Sequence, residues 1–396
     1  MKLRSFIFWN LYFIEMVMCF TKNLRHPHIS SKTYQSLLEN QDSVAANDNW
    51  DKFVKHHVGR WCGIQSCHYH LDEEESSSSD RILCGTLLTL QDQSIDHTNF
   101  FVSSPGNFEA TERIPSENIL LQKVATYEKP TLSSKVCGNV AMGGPGMSRE
   151  GLSIQFSFSH NDARMRVMIA YEPSDFVTVP STSIQIPSSM SMSDITISRE
   201  KRLADTESSA TLTSLPPLRD FTEAVPHFLF SKPSIEKDFG GDFAGVKEFY
   251  RKSDGPVTAT ADDATRRESQ IVPLAPLPFY EDYLGNLQSA LKLLNAVEKK
   301  DDDDEDDDMD FVKIFDGGLL IEAPLVILAG DETDVKMSWS VPTTTDLSTS
   351  RTVYIAEATF TAMNDVINKT RRKRRGDTFV DQPLLLDFSV QTLVRE

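Results

Sequence analysis

Two arginines, Arg164 and Arg166, stand two residues apart in the run Arg164-Met165-Arg166-Val167-Met168-Ile169-Ala170-Tyr171. On a strand, that spacing puts both guanidinium groups on one face. A pair of planar, permanently charged forks suits the carboxylate of an acidic ligand. Arg164 and Arg166 are therefore candidate ligand anchors if that face turns inward, toward a tetrapyrrole propionate or a fatty-acid carboxylate, and Tyr171 is a third candidate anchor. Met165, Val167 and Ile169 compete for the same interior, and binary patterning favours them inside with the arginines in solvent.

Other groupings offer less. Cys62, Cys67, His68 and His70, with His56 and His57, form the densest Cys/His cluster. Zinc needs ligands converging on a tetrahedron, and C-x4-C followed by H-x-H is not a standard spacing. On a strand, Cys67 and His68 face opposite ways. No metal site is expected. Cys137 has no assignable base and no Gly-x-Ser-x-Gly elbow is present, so no catalytic residue is expected. Gly143-Gly144-Pro145-Gly146 lacks the Gly-Lys-Ser/Thr ending of a phosphate loop and reads as a turn. No cofactor follows from these residues. The five cysteines all lie in the first half, too sparse for a disulfide scaffold, and read as mostly free thiols in a reducing compartment.

The elements that position these groups read as strands. At 396 residues, two or three domains are expected. From Trp50 onward, short apolar runs alternate with turn residues: Ile82–Leu90, Ile119–Ala125, Leu152–Phe158, Met165–Tyr171, Ile184–Ile186 and Ile195–Ser198. Leu152–Phe158 alternates apolar and polar strictly, the period of a half-buried strand. The fold class is all-β, with few short helices: one over Asp48–His57, and a longer pattern over Tyr280–Lys299. Asp72–Asp80 reads as a solvated loop and residues 203–220 as a linker. An acidic run (301–310) and a basic run (371–375) read as loop insertions. The net charge is −18, and is still −10 when the eight carboxylates of Asp301–Asp308 are set aside. A nucleic-acid partner is therefore not expected, because phosphate binding needs a basic face. Residues 1–45 open on Lys2 and Arg4 and continue with an apolar stretch interrupted by Asn10 and Glu15. They read as a targeting and linker segment ahead of an anchor or a misplaced start, with no stable membrane span.

A duplication organises the chain. Gly59-Arg60-Trp61-Cys62-Gly63 matches Gly241-Asp242-Phe243-Ala244-Gly245 as Gly-x-aromatic-x-Gly. Thr196-Ile197-Ser198-Arg199-Glu200 matches Thr392-Leu393-Val394-Arg395-Glu396 as Thr-x-x-Arg-Glu. Two units follow, 48–202 and 221–396. In each, the glycine admits a close backbone approach, the aromatic ring plugs one end of a barrel, and an arginine of the last strand stacks on that ring. Arg199 is expected on Trp61, and Arg395 on Phe243. Gly59, Trp61, Gly63, Arg199, Gly241, Phe243, Gly245 and Arg395 are thus a structural signature.

A Gly-x-Trp opening with a closing arginine resembles the lipocalin (calycin) signature. Asn49-Trp50-Asp51-Lys52-Phe53, Val136-Cys137-Gly138-Asn139, Phe315-Asp316-Gly317-Gly318, Ala323-Pro324 and Trp339 extend the pattern. Together they resemble a tandem-barrel family of unknown function from cyanobacteria, algae and plastids, whose plant members are biogenesis factors for chloroplast ATP synthase. The resemblance implies two consecutive lipocalin-like β-barrels and a non-enzymatic assembly factor of the chloroplast stroma. Its partners would be the α, β or γ subunits of the ATP synthase catalytic head. The alternative it implies is a carrier, or a lyase, for a hydrophobic small molecule such as a bilin, haem or lipid.

Overall fold

In the computed structural model the chain is described over residues 50–69, 82–103, 113–115, 118–128, 136–137, 139–148, 151–179, 184–203, 214–217, 225–252, 267–278, 310–343, 350–361 and 384–395. The expected segment 1–45, the loop Asp72–Asp80, the helix over Tyr280–Lys299, residues 301–309 of the acidic run and the basic run fall outside them. The described residues are almost entirely antiparallel strands. The first ten are β1 (Gly59–Tyr69), β2 (Ile82–Gln91), β3 (Ser94–Val102), β4 (Arg113–Pro115), β5 (Ile119–Glu128), β6 (Val136–Cys137), β7 (Val140–Ser148), β8 (Gly151–His160), β9 (Ala163–Val179) and β10 (Ile184–Arg202). β7 runs through Gly143–Gly146, so the turn expected there is strand. Within the expected linker, β11 (Ser214–Pro217) pairs with β4.

The main sheet has the order β5-β3-β2-β1-β10-β9-β8-β7-β6. Its first strand pairs with its last, the ladder that closes an up-and-down barrel. No ladder joins β5 to β6 among the described residues, so the sheet is open there and the expected closed barrel is not formed. Side chains bridge that gap instead. Helix α1, residues 50–57, carries Trp50, Phe53 and His57 on one buried face at helical spacing. Trp50 and Phe53 pack with Leu88, Ile95, Val136 and Ala141, and Tyr127 lies against them. One apolar cluster thus draws on both edges of the sheet.

The sheet is curled. Arg164 on β9 donates from Nη2 to Thr86 Oγ1 on β2 at 2.7 Å. Those strands are three ladder steps apart, roughly 14 Å in a flat sheet. A direct bond across that span requires the inner face to be concave.

The second sheet is built from β12 (Asp242–Lys252), β13 (Arg267–Pro278), β14 (Asp310–Phe315), β15 (Leu319–Pro324), β17 (Glu332–Pro342), β18 (Arg351–Thr361) and β19 (Leu384–Arg395). Its order is β13-β12-β19-β18-β17-β15-β14. Again the first strand pairs with the last, and among the described residues no ladder joins β13 to β14. Its core holds Phe239, Phe243, Val312, Leu320, Val353, Ile355 and Leu393. The remaining strand, β16 (Val326–Leu328), pairs with Ser189–Ser191 of β10. By contacts the chain forms two units. The first takes the chain through Arg149 with Ser157–Ile169 and Asp194–Pro226; the second takes Glu150–Phe156, Ala170–Ser193 and His227–Glu396.

The opening glycines of the two units play matching parts. A Cβ on Gly63 would collide with the Arg199 carbonyl, and one on Gly245 with the Thr392 carbonyl. Register pairs Trp61 with Arg202 and Phe243 with Arg395. The last strands therefore correspond as Arg202 to Arg395 and Glu200 to Leu393, three residues away from the expected Thr-x-x-Arg-Glu alignment.

Gly63→Ala should destabilise the protein by about 3 kcal/mol, the upper end for overpacking, because backbone rather than a flexible side chain blocks the methyl. Gly330→Ala meets nothing within 4 Å and only strains a positive φ. It should cost about 1–2 kcal/mol. Denaturant unfolding of the two variants checks the ranking.

Candidate functional site

The inner face of the first unit is fixed by register. Trp61, Gly63, Gln65 and Cys67 alternate along β1 and face the same way as their partners Arg202, Glu200, Ser198 and Thr196 on β10. Gly63 has no side chain, so the Glu200 carboxylate lies over open backbone. Two arginines of β9 reach it. Arg164 donates from Nε to Glu200 Oε2 at 2.6 Å. Arg166 binds side-on, Nε to Oε2 at 3.0 Å and Nη2 to Oε1 at 2.7 Å. Thr86 Oγ1 donates to Oε1 at 3.0 Å. Glu200 is completely buried, Arg164 nearly so, and the Arg166 side chain is 11% exposed. Inward placement of the arginines corrects the expectation of solvent. Met165 and Val167 are fully buried as well, so both faces of β9 are covered and patterning could not choose between them.

Trp61 forms the floor of this layer. Arg164 Cζ lies 4.3 Å and Arg202 Cζ 4.7 Å from its ring centroid. Each contact is worth roughly 0.5–2 kcal/mol. The indole Nε1 donates to the His57 carbonyl at 2.8 Å, and Arg202 Nη2 donates to the Lys55 and His56 carbonyls at 3.1 and 2.7 Å. These bonds satisfy the free carbonyls at the C-terminus of α1, where a cation also suits the helix dipole. The arginine on Trp61 is therefore Arg202, not the expected Arg199. Arg199 pairs with Ile64, faces the other side of the sheet and donates to Ser66 Oγ at 3.1 Å.

Neutral groups border the ions. His97 bonds Tyr127 through Nδ1 at 2.8 Å and Asn99 through Nε2 at 3.1 Å. Beyond Glu200, away from Trp61, the face continues with Gln65, Ser198, Thr196 and Cys67. Ser198 donates to Gln65 Oε1 at 3.4 Å, and Cys67 Sγ lies 3.6 Å from Thr196 Oγ1.

The charges tune one another. Burial alone would raise the Glu200 carboxyl; Arg164 and Arg166 overturn that and hold it near 2. Burial, then the charges of Arg166 and Arg164, lowers His97 to about 3. Burial pushes Tyr127 up to about 12 and drives the Cys84 thiol upward, with the Glu200 charge adding to the latter. Burial, then Arg164, drives His57 well below its ordinary value.

The second unit keeps the frame and changes the lining. Arg395 Cζ lies 5.8 Å from the Phe243 centroid, and its Nη1 donates to the Gly240 carbonyl just past helix α2 (Ile235–Phe239). Asp238 pairs with Arg351 at 3.2 Å. At the Glu200 position stands Leu393, paired across β18 with Val353. Tyr171, the third candidate anchor, is in this unit and donates to the Pro324 carbonyl at 3.0 Å, apart from the two arginines. Among the described residues no group of three or more His, Cys, Asp or Glu side chains converges on a metal position. Cys62, Cys67 and Cys84 are buried thiols that form no disulfide. Among the same residues no helix is long and apolar enough to cross a membrane.

Glu200→Gln leaves two buried guanidinium groups without their counter-charge and should cost roughly 3–5 kcal/mol. The wild-type pH profile has two limbs. His97 has a folded value near 3 against 6.5 ordinarily, so the unfolded chain protonates first and stability falls from about pH 6.5 toward 3. The Glu200 contribution is present above pH 4.5 and is lost as pH falls through about 2. Urea unfolding across pH should show that the variant loses the lower limb and keeps the upper one.

Among solved structures, the chain is similar to a protein of unknown function from the DUF3598 family of Nostoc punctiforme. It is 12% identical, the match covers 88% of this chain and 99% of that one, and the TM-score is 0.42. No family model matches the chain, and no curated protein matches it.

Proposed function

We propose that this chain is a non-enzymatic binding factor, built from two calycin-like rolled meanders, that holds a protein partner during assembly. The observation that carries this reading is the state of the first unit's inner face. Acid–base catalysis needs a group that titrates near the working pH. Here Glu200 is held near 2, His97 near 3 and Tyr127 near 12. The arginines are engaged with Glu200 rather than poised over a reactive atom. The second unit's interior is filled by Phe243, Leu320, Val353, Ile355 and Leu393. Such interiors suit a protein that works through its surface. Phe176 and Val177 on β9 and Val326 and Leu328 on β16 are exposed apolar side chains in the second unit, on strands that both neighbour β10. Exposed apolar area of this kind favours protein contact.

The partner follows from the resemblance of the Gly-x-aromatic-x-Gly units to the ATP synthase biogenesis family. We take it to be an α, β or γ subunit of the catalytic head, met in the chloroplast stroma. The rival reading, a carrier or lyase for a bilin, haem or lipid, calls for an apolar cavity with a few polar anchors. The inner face of the first unit is instead lined by charge, hydroxyl and amide.

Tagged protein recovered from its own organism and examined by native mass spectrometry should carry ATP synthase subunits. Recovery of bare protein with one hydrophobic adduct per chain would overturn the assembly reading in favour of the carrier.

A further inference from the structure

We infer that the inner face of the first unit binds a small, water-soluble anion, a carboxylate or a phosphate, on Arg166. This goes beyond the partner reading and concerns a separate site. Arg164 and Arg166 face a single carboxylate, Glu200, so this trio carries one positive charge in excess, and Arg202 on Trp61 is a further cation. Thr86, His97, Tyr127 and Cys84, its neighbours, are neutral and supply no compensation. An uncompensated buried cation is costly, and an incoming anion removes that cost.

Glu200 and Arg164 are sealed, whereas Arg166 keeps part of its side chain exposed. Its bonds to Glu200 use Nε and Nη2, which leaves Nη1 for a ligand. The face beyond Glu200 is lined by Gln65, Ser198 and Thr196, side chains that suit a polar molecule rather than an acyl chain.

The two units differ in their lining. At the structurally equivalent position the second unit has Leu393 and a packed apolar core. Replacing a buried ion cluster by apolar residues is often neutral or stabilising. The fold therefore does not need charge at this position, and the first unit keeps it.

Calorimetry and thermal unfolding on the full chain test the site, with inorganic phosphate and acetate as probes and chloride as reference at constant ionic strength. Phosphate or acetate should bind once per chain, saturably, and raise Tm above the chloride baseline. Whichever of the two binds identifies the source. Arg166→Met leaves Arg164 and Glu200 as a one-to-one pair, so the variant should stay folded by circular dichroism and lose the anion effect. Arg166→Lys keeps the charge without the fork and should bind about tenfold more weakly. If Arg166→Met does not fold, the lysine variant alone decides. Phosphate and acetate acting no differently from chloride would overturn the inference, as would unchanged binding in the Arg166 variants. Binding of octanoate without acetate or phosphate would overturn it too, in favour of a lipid. None of these results bears on recovery of a protein partner.

Discussion

A carboxylate with no access to water, Glu200, sits between two guanidinium groups, and much of the first unit depends on how that is made tolerable. Burying one ion costs several kcal/mol even after relaxation, and good geometry must repay it. Here the geometry comes from three strands and a missing side chain. Gly63 clears the space, β9 supplies both arginines, and β2 supplies Thr86. Because β2 and β9 come within reach of one another only in a curled sheet, the network requires the curl and, once formed, helps to hold it. Trp61 extends the linkage to α1 through its own hydrogen bond and through Arg202, so the helix that bridges the open edge is tied to the same layer.

The second unit shows which parts of this design are architectural. Both units keep the glycine that lets two strands approach, the aromatic ring after it, and a closing arginine that lies over the ring and bonds a carbonyl beside the preceding helix. These parts set where the chain enters the sheet. The charged layer is not shared: Leu393 replaces Glu200, and register puts Leu277 opposite Phe243 where Thr86 stands opposite Trp61. Frame and lining thus vary independently, and chemistry belongs to the lining.

Much of the frame was legible in the sequence. Strict alternation marked β8, the apolar runs marked β2, β5 and β9, and the Gly-x-aromatic-x-Gly repeat marked the openings of both units. The site was legible only in part. Arg164 and Arg166 stood out by type and spacing, but their direction did not, because β9 is covered on both faces and polarity on one side says nothing when both are buried. Glu200 carried no signal, since a carboxylate beside Arg199 near a strand end reads as surface. The partner of Trp61 was missed by three residues: short motifs align letters, whereas register decides which side chains share a face. Closure was over-read for a related reason, as strand patterning does not reveal whether the two edge strands meet.

The most direct measurement is a double-mutant cycle in urea unfolding on Arg164→Met and Glu200→Gln. If the network holds the curl, the two residues act as one device and the cycle should give a coupling energy of about 2 kcal/mol or more. Losses that add to within about 0.5 kcal/mol would mean that the two side chains contribute separately. The account of the first unit as a sheet organised around a buried charge would then be contradicted.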